Sequence, residues 1–294
     1  ATASMQKHHS PKQRILCLHG WGTNPDMIEI QCGRLELELQ DIAKFEFMPG
    51  PLVLDSCKVD QQIADIVDPP YYQWWEDGSG QAGRQAAVQY MLKQMERLGA
   101  VDMILGFSQG AAAATLLAAA LEECEGTLPR TPPPPRAVVC VCGVFPETLN
   151  LVKQEADVRR VKVRAPSVHV VGTEDAYCSE GEALARECFG TATDADCASL
   201  ASAGNDNQNQ AMRENTVILR HERGHVFPAD VQPLADTLRK LLVKFQTQPR
   251  RESQRAPSST QDGLQSQQPQ PHKRHKREEP PIAHAAACSA CALQ

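Results

Sequence analysis

The chain has 294 residues, 41% of them apolar and 22% charged, with a net charge of −6. Those values support a globular fold with a sizeable core and exclude a nucleic-acid binder of the basic type. The longest apolar run, Gly110–Leu121, is far short of the roughly 20 residues that a membrane-spanning helix needs.

Length alone, at roughly 150 residues per domain, suggests two domains, but composition divides the chain differently. From Thr247 to Gln294 there is no Phe, Trp or Tyr. Seven Lys and Arg there face four acids, a charge of +3, which leaves −9 for residues 1–246. Such a stretch cannot bury enough apolar surface to offset its ordering entropy. The expectation is one acidic folded domain over 12–246 and a disordered, mildly basic tail over 247–294.

The opening Ala1–Arg14 is polar and lacks the apolar run of a signal peptide. No Met begins the chain, and Met5 is a candidate start. Eleven cysteines, among them Cys17, Cys140, Cys142 and Cys188, fall in strand-like and helix-like stretches. They read as reduced, buried small hydrophobes in a cytoplasmic protein.

Short apolar runs alternate with helical patterns, the mark of βαβ units around a mostly parallel sheet. Arg14–Leu18 is the first strand, ending in His19-Gly20-Trp21-Gly22-Thr23-Asn24. Asn24 and Pro25 read as an N-cap and the first helical position. Ile28, Cys32, Leu35 and Leu39 then share one helical face. A second strand is expected at Lys44–Met48, no clear period over 50–80, a helix over Gln81–Leu98 and a strand over Val101–Leu105. An Ala-rich helix follows over Gln109–Cys124, then a surface loop at Pro132–Pro135. Strands are expected at Ala137–Cys142, Ser167–Val171 and Thr216–Arg220, with helices near Ser179–Phe189 and Ala229–Phe245. Residues 190–213 read as a polar inserted loop.

The sharpest local signal is Gly106-Phe107-Ser108-Gln109-Gly110. It fits G-x-S-x-G and sits between a strand and a helix, the context that a nucleophile elbow requires. A serine nucleophile needs an acid and a base further along, in the order Ser, Asp/Glu, His. Glu174 and Asp175 both follow the Val168–Val171 strand, and a strand-end loop presents only one of them inward. His221 and His225 both follow the last strand, and His225, after Gly224, is the better placed to swing over the sheet edge. The oxyanion donors would be the N–H groups of Gln109 and Trp21. His19 reads as a structural histidine packed under that loop.

With those residues placed, the chain resembles the FSH-type serine hydrolases. The resemblance rests on Ile15–Trp21 with Asn24, on Trp74-Trp75, on Asp102–Ala111, on Pro166–Asp175 and on Gly224-His225 with Pro228. These motifs, in order and spacing, cover nearly all of residues 12–246. It implies an α/β-hydrolase fold with a mostly parallel central sheet, helices on both faces and no large lid. It also implies a Ser108–Asp175–His225 triad, Asp175 falling on the G-x-x-D position. The reaction implied is hydrolysis of carboxylic esters or thioesters, often with long acyl chains, through an acyl-enzyme. The partner would be a small-molecule or acyl-carrier substrate, with no cofactor and no metal ion. Trp21, Trp74 and Trp75 are candidates to line an acyl groove, and equally fit core or surface aromatics. The chain departs from the family around Cys32-Gly33, at 129–136, at 190–213 and at Glu222-Arg223, which bears on substrate preference. An acyl-protein thioesterase-like enzyme shares the same pentad. A non-catalytic scaffold is the other alternative, disfavoured because a candidate for every catalytic role is present.

The last four residues, Cys291-Ala292-Leu293-Gln294, fit C-a-a-X with a farnesyl-type ending. Lys273–Arg277 supplies a basic cluster and Cys288 a second acylation candidate. One lipid plus a second signal gives stable anchoring, so the tail is expected to allow peripheral membrane association. The same basic run also fits a nuclear localisation signal.

Overall fold

A computed structural model describes residues 11–125, 131–144, 161–190, 192–194 and 216–248. Strand β1 (Gln13–Leu18) shows how the sequence builds the core. Ile15 and Cys17 face one side and Leu16 and Leu18 the other, and all four are buried. A strand apolar on both faces belongs inside a sheet covered by helices on both sides. Helix α1 (Pro25–Leu39) is started by Asn24, whose Oδ1 accepts the Met27 N–H at 3.0 Å. It buries Ile28, Cys32, Leu35 and Leu39, as their spacing predicts, and Met27 beside them.

The other strands of the main sheet are β2 (Ala43–Met48), β5 (Met103–Phe107), β6 (Ala137–Val141), β7 (Ser167–Gly172), β8 (Ala192–Asp194) and β9 (Thr216–His221). Their order is β2-β1-β5-β6-β7-β9-β8, and every pairing is parallel. The chain runs outward from β1 to β2, then returns to β5 on the other side of β1 and proceeds away. The reversal leaves a crevice at the carboxyl ends of β1 and β5, where open α/β sheets bind ligands.

Helix α1 and the last helix, α6 (Gln232–Thr247), pack on one face with Ile15, Met103 and Val139. Helices α3 (Gly80–Leu98) and α4 (Gln109–Glu123) pack on the other with Leu16, Ile104 and Val138. Helix α4 is buried from Gln109 to Leu121, which explains its Ala-rich sequence: small side chains let it lie close to the sheet. This sheet order with helices on both faces is the α/β-hydrolase fold. No helix among the described residues is long and apolar enough to cross a membrane.

Several boundaries differ from those the sequence predicts. Strand β5 begins at Met103, because Asp102 instead bonds β1: its N–H donates to Arg14 O, and its carboxylate accepts the Arg14 N–H. Strand β6 ends at Val141, because Cys142 turns to a φ of +46°. The aperiodic stretch after β2 contains an antiparallel pair, β3 (Leu52–Leu54) and β4 (Tyr71–Gln73), with a short helix α2 (Gln61–Ala64) between them. The predicted 179–189 helix is α5 (Cys178–Leu184) followed by a π turn over Ala185–Phe189. Helix α6 starts at Gln232, whose N–H is capped by Asp230. Within the expected 190–213 loop, Ala192–Asp194 forms an edge strand too short to leave an alternation signal. Residues 195–215 lie outside the described part of the chain. So does the expected tail beyond Gln248, with Cys288 and Cys291.

Candidate active site

Ser108 sits between β5 and α4 with φ +55° and ψ −122°, a backbone that L residues rarely adopt. The pentad glycines make that turn possible. A Cβ on Gly106 would lie 2.1 Å from Gly110 O, and one on Gly110 would lie 2.2 Å from Leu18 O. The tight turn lifts the Ser108 hydroxyl to the sheet edge at the α4 N-terminus, where the helix dipole is positive.

Two loops bring the partners. After β7, Asp175 turns inward and is buried, while Glu174 is exposed. Its Oδ1 accepts the Tyr177 N–H at 2.8 Å. After β9, the 222–226 loop folds back over β7. Gly172 admits it, since a Cβ there would lie 2.3 Å from Arg223 O. The loop sets His225 between the other two residues. His225 Nδ1 is 2.8 Å from Asp175 Oδ2, and Nε2 is 2.8 Å from Ser108 Oγ. A carboxylate only accepts, so Nδ1 carries the proton and Nε2 accepts from the serine hydroxyl. The rings of Phe107 and Tyr177 lie 5.3 and 5.1 Å from that of His225 and restrict its tilt. His221, the other histidine considered, does not reach Ser108; its Nε2 lies 3.8 Å from Cys142 Sγ.

The β1 side is built from buried hydrogen bonds. His19 Nδ1 donates to Gly20 O at 2.8 Å, and its Nε2 accepts the Gly50 N–H at 2.9 Å. Burial pushes its pKa down to about 4, so the ring is neutral. Thr23 Oγ1 donates to Gly20 O. The Trp74 indole N–H donates to His19 O at 2.8 Å. The Gln109 carboxamide accepts the Trp74 N–H and donates to Trp75 O. This web holds Gly20 and Trp21 opposite the start of α4, where the Gln109 N–H has no intrahelical partner.

A cavity of about 820 Å³ opens over Ser108 and His225. Trp21 and Trp75 line it, together with an apolar wall that includes Met27, Ile30, Ile63 and Ile66. Trp74 does not line it. That side chain is fully buried and acts as a brace, which corrects its expected place in an acyl groove. The sequence reading missed Cys142, Tyr177 and the Gln109 side chain. Each acts through a contact distant in sequence, and only the position of Gln109 inside the pentad offered a clue.

The fold and this crevice define an α/β-hydrolase. A sequence model of the family described as serine hydrolase (FSH1) matches residues 6–195, more than half of the chain. The protein belongs to that family. The match ends before β9, so it takes in Ser108 and Asp175 but not His225. Among its relatives, esterase FUS5 of Gibberella moniliformis is 33% identical over 188 residues, 61% of this chain and 73% of that protein. Esterase OVCA2 of Bos taurus is 28% identical over 252 residues, 80% of this chain and 97% of that one. Among solved structures, esterase PE8 aligns with a TM-score of 0.48 at 16% identity, over 79% of this chain and 93% of its own.

Proposed function

We propose that the protein hydrolyses carboxylic esters through a Ser108–His225–Asp175 triad and an acyl-enzyme. The observation that carries this reading is the His225 imidazole, 2.8 Å from both Ser108 Oγ and Asp175 Oδ2. His225 takes the Ser108 proton as the oxygen attacks the acyl carbon, and Asp175 stabilises the imidazolium that forms. The oxyanion is received by the N–H groups of Trp21 and Gln109, held by the buried web around His19. His225 then protonates the leaving alcohol, and water, activated by the same imidazole, releases the acid.

The cavity volume lies in the upper part of the ordinary ligand-pocket range of about 300–1,000 Å³. Its apolar wall suits an acyl chain of several carbons. A thioester would undergo the same attack, so an assay decides between oxygen and sulfur leaving groups.

The test is fluorophosphonate labelling of the wild type and of Ser108→Ala, His225→Ala and His221→Ala. Labelling is expected to need Ser108 and His225 and to survive His221→Ala. A signal retained in Ser108→Ala removes the nucleophile assignment. Matched ester and thioester series of increasing acyl length then define the substrate. Rates that do not rise with chain length would remove the apolar wall from the reading.

A further inference from the structure

Behind the triad lies a second cluster of titratable groups, and at its centre is Cys142. This residue follows β6 with φ +46°, a conformation that few side-chain-bearing residues adopt. Its N–H donates to Val170 O at 2.8 Å, which anchors the turn to β7. Its side chain is buried. The Sγ lies 3.3 Å from Val226 O, the carbonyl next in sequence to His225. Cys142 Sγ, a carboxylate oxygen of Asp175 and a ring nitrogen of His225 all lie within 4.8 Å of one another. His221 Nε2 lies 3.8 Å from the same sulfur.

We propose that Cys142 is a positioning residue. Its single S–H proton, donated to Val226 O and shared with the neighbouring Asp175 carboxylate, ties the His225 loop to the acid, and the sulfur fills space beside Asp175 that His221 would otherwise enter, so that the acid serves His225 alone. The inference rests on the triad reading above.

Three further observations support it. Burial, and then the Asp175 charge, push the thiol up to about 12, so it remains an S–H donor across the working pH range. The side chain is buried and its sulfur is 3.3 Å from Val226 O, so hydrogen bonding and packing are the roles its surroundings offer. His221 is the natural competitor for the acid. Its Nδ1 is buried with no hydrogen-bond partner among the described residues, and Asp175 acts on it electrostatically. The sulfur lies 3.8 Å from this imidazole and within 4.8 Å of the carboxylate.

The test compares Cys142→Ala and Cys142→Ser in the full chain, with kcat, KM and the pH profile of kcat/KM on an activated ester. Ala removes the donor; Ser keeps one in a similar shape. With the donor gone, the Asp175 charge falls more fully on the His225 imidazolium. The acidic limb of the Ala variant should therefore move up by about half a unit to one unit. Its kcat should fall about tenfold with KM nearly unchanged, in line with the loss of one hydrogen bond that positions a catalytic group. A hydroxyl donates more strongly than a thiol, so the Ser variant should keep most of kcat, with its limb at or below that of the wild type.

The other titratable or charged groups around the pair, among the described residues, include Glu174, Tyr177, Cys178, His221 and Arg223. They are common to both variants and cancel in the comparison. Equal behaviour of Ala and Ser, with both limbs at the wild-type position, would reduce Cys142 to packing and overturn the proposal. If the Ala variant does not fold, the Ser limb decides: one displaced above the wild type overturns it. Adding His221→Gln to Cys142→Ala should restore part of the lost kcat, and no restoration overturns the exclusion of His221. Fluorophosphonate labelling that persists in Ser108→Ala would instead remove the triad itself, so the two failures are told apart.

Discussion

The two halves of the crevice are built in different ways. On the β1–β5 side the working groups belong to the core: His19 and Trp74 have no exposed surface, and the Gln109 carboxamide is tied to two backbone groups. On the β7–β9 side they ride on loops, and the His225 side chain remains 28% exposed. Nucleophile and oxyanion geometry is thus bound to the stability of the whole domain. On the reading proposed above, the acid–base pair of Asp175 and His225 is held locally, by the Tyr177 N–H and two aromatic rings. Mutations on the first side should cost stability together with rate, and mutations on the second should cost rate alone.

The largest expected effect tests the second half of that statement. His225→Ala should lower kcat by about 10⁴–10⁶-fold, the scale of losing a triad base. Its melting temperature should stay within about 2 °C of the wild type, since the side chain is partly exposed on a loop and meets the core only at the Phe107 ring. Scanning calorimetry beside steady-state kinetics checks it, and a large drop in melting temperature would break the comparison.

Acid should distinguish the core histidines from the loop histidine. Burial pushes His19 down to about 4 and His169 down to about 3. An unfolded histidine binds its proton near pH 6.5. Between those values the unfolded chain therefore holds more protons than the folded one, and stability falls as pH falls. Each residue should cost about 2 kcal/mol on going from above pH 7 to pH 5, at about 1.4 kcal/mol per unit. Urea midpoints at the two pH values measure the sum, and His169→Gln should remove about half of it. His169 bonds Ser167 Oγ and packs on Phe189, neither of them a triad residue, so that variant should leave kcat nearly unchanged.

Gly110→Ala would sharpen the first half. The added methyl would lie 2.2 Å from Leu18 O, a backbone atom that can move only by shifting β1. Overpacking of this kind costs typically about 1–3 kcal/mol, and a backbone clash belongs at the upper end. A melting temperature lowered by about 6 °C or more, with activity lost in parallel, is expected. A variant that keeps its stability but not its activity would separate two properties that the geometry joins.

The same division explains what the sequence made readable. The β1–β5 side follows from local rules: period-two burial in Arg14–Leu18, an Asn–Pro helix start, and a pentad whose glycines are sterically compelled. The β7–β9 side depends on contacts between residues 33 to 117 positions apart. Glu174 and Asp175 are equal as residue types, as are His221 and His225. What separates them is which way a loop turns, a turn that Gly172 admits and the Tyr177 N–H meets. The edge strand Ala192–Asp194 and the β3–β4 pair went unread for another reason: three residues are too few to show a period.

The adjacent tryptophans carry the comparison down to single side chains. Both look alike in sequence, yet Trp74 has its indole N–H on His19 O, away from the cavity, while Trp75 faces it. Trp74→Phe leaves a buried carbonyl without that donor, at a cost of about 1–3 kcal/mol. It also loosens the loop that offers the Trp21 N–H to the oxyanion. The expected result is a melting temperature lower by about 2–8 °C and kcat down by about tenfold, with KM little changed. Trp75→Phe keeps the ring face on the cavity and breaks no side-chain hydrogen bond described for Trp75. It should raise KM for longer acyl esters by about two- to fivefold, as the loss of a little apolar contact would, and leave kcat and stability close to the wild type. If Trp75→Phe proved the more damaging to kcat, the oxyanion loop would be braced from the cavity side, and the buried web around His19 would lose its assigned part.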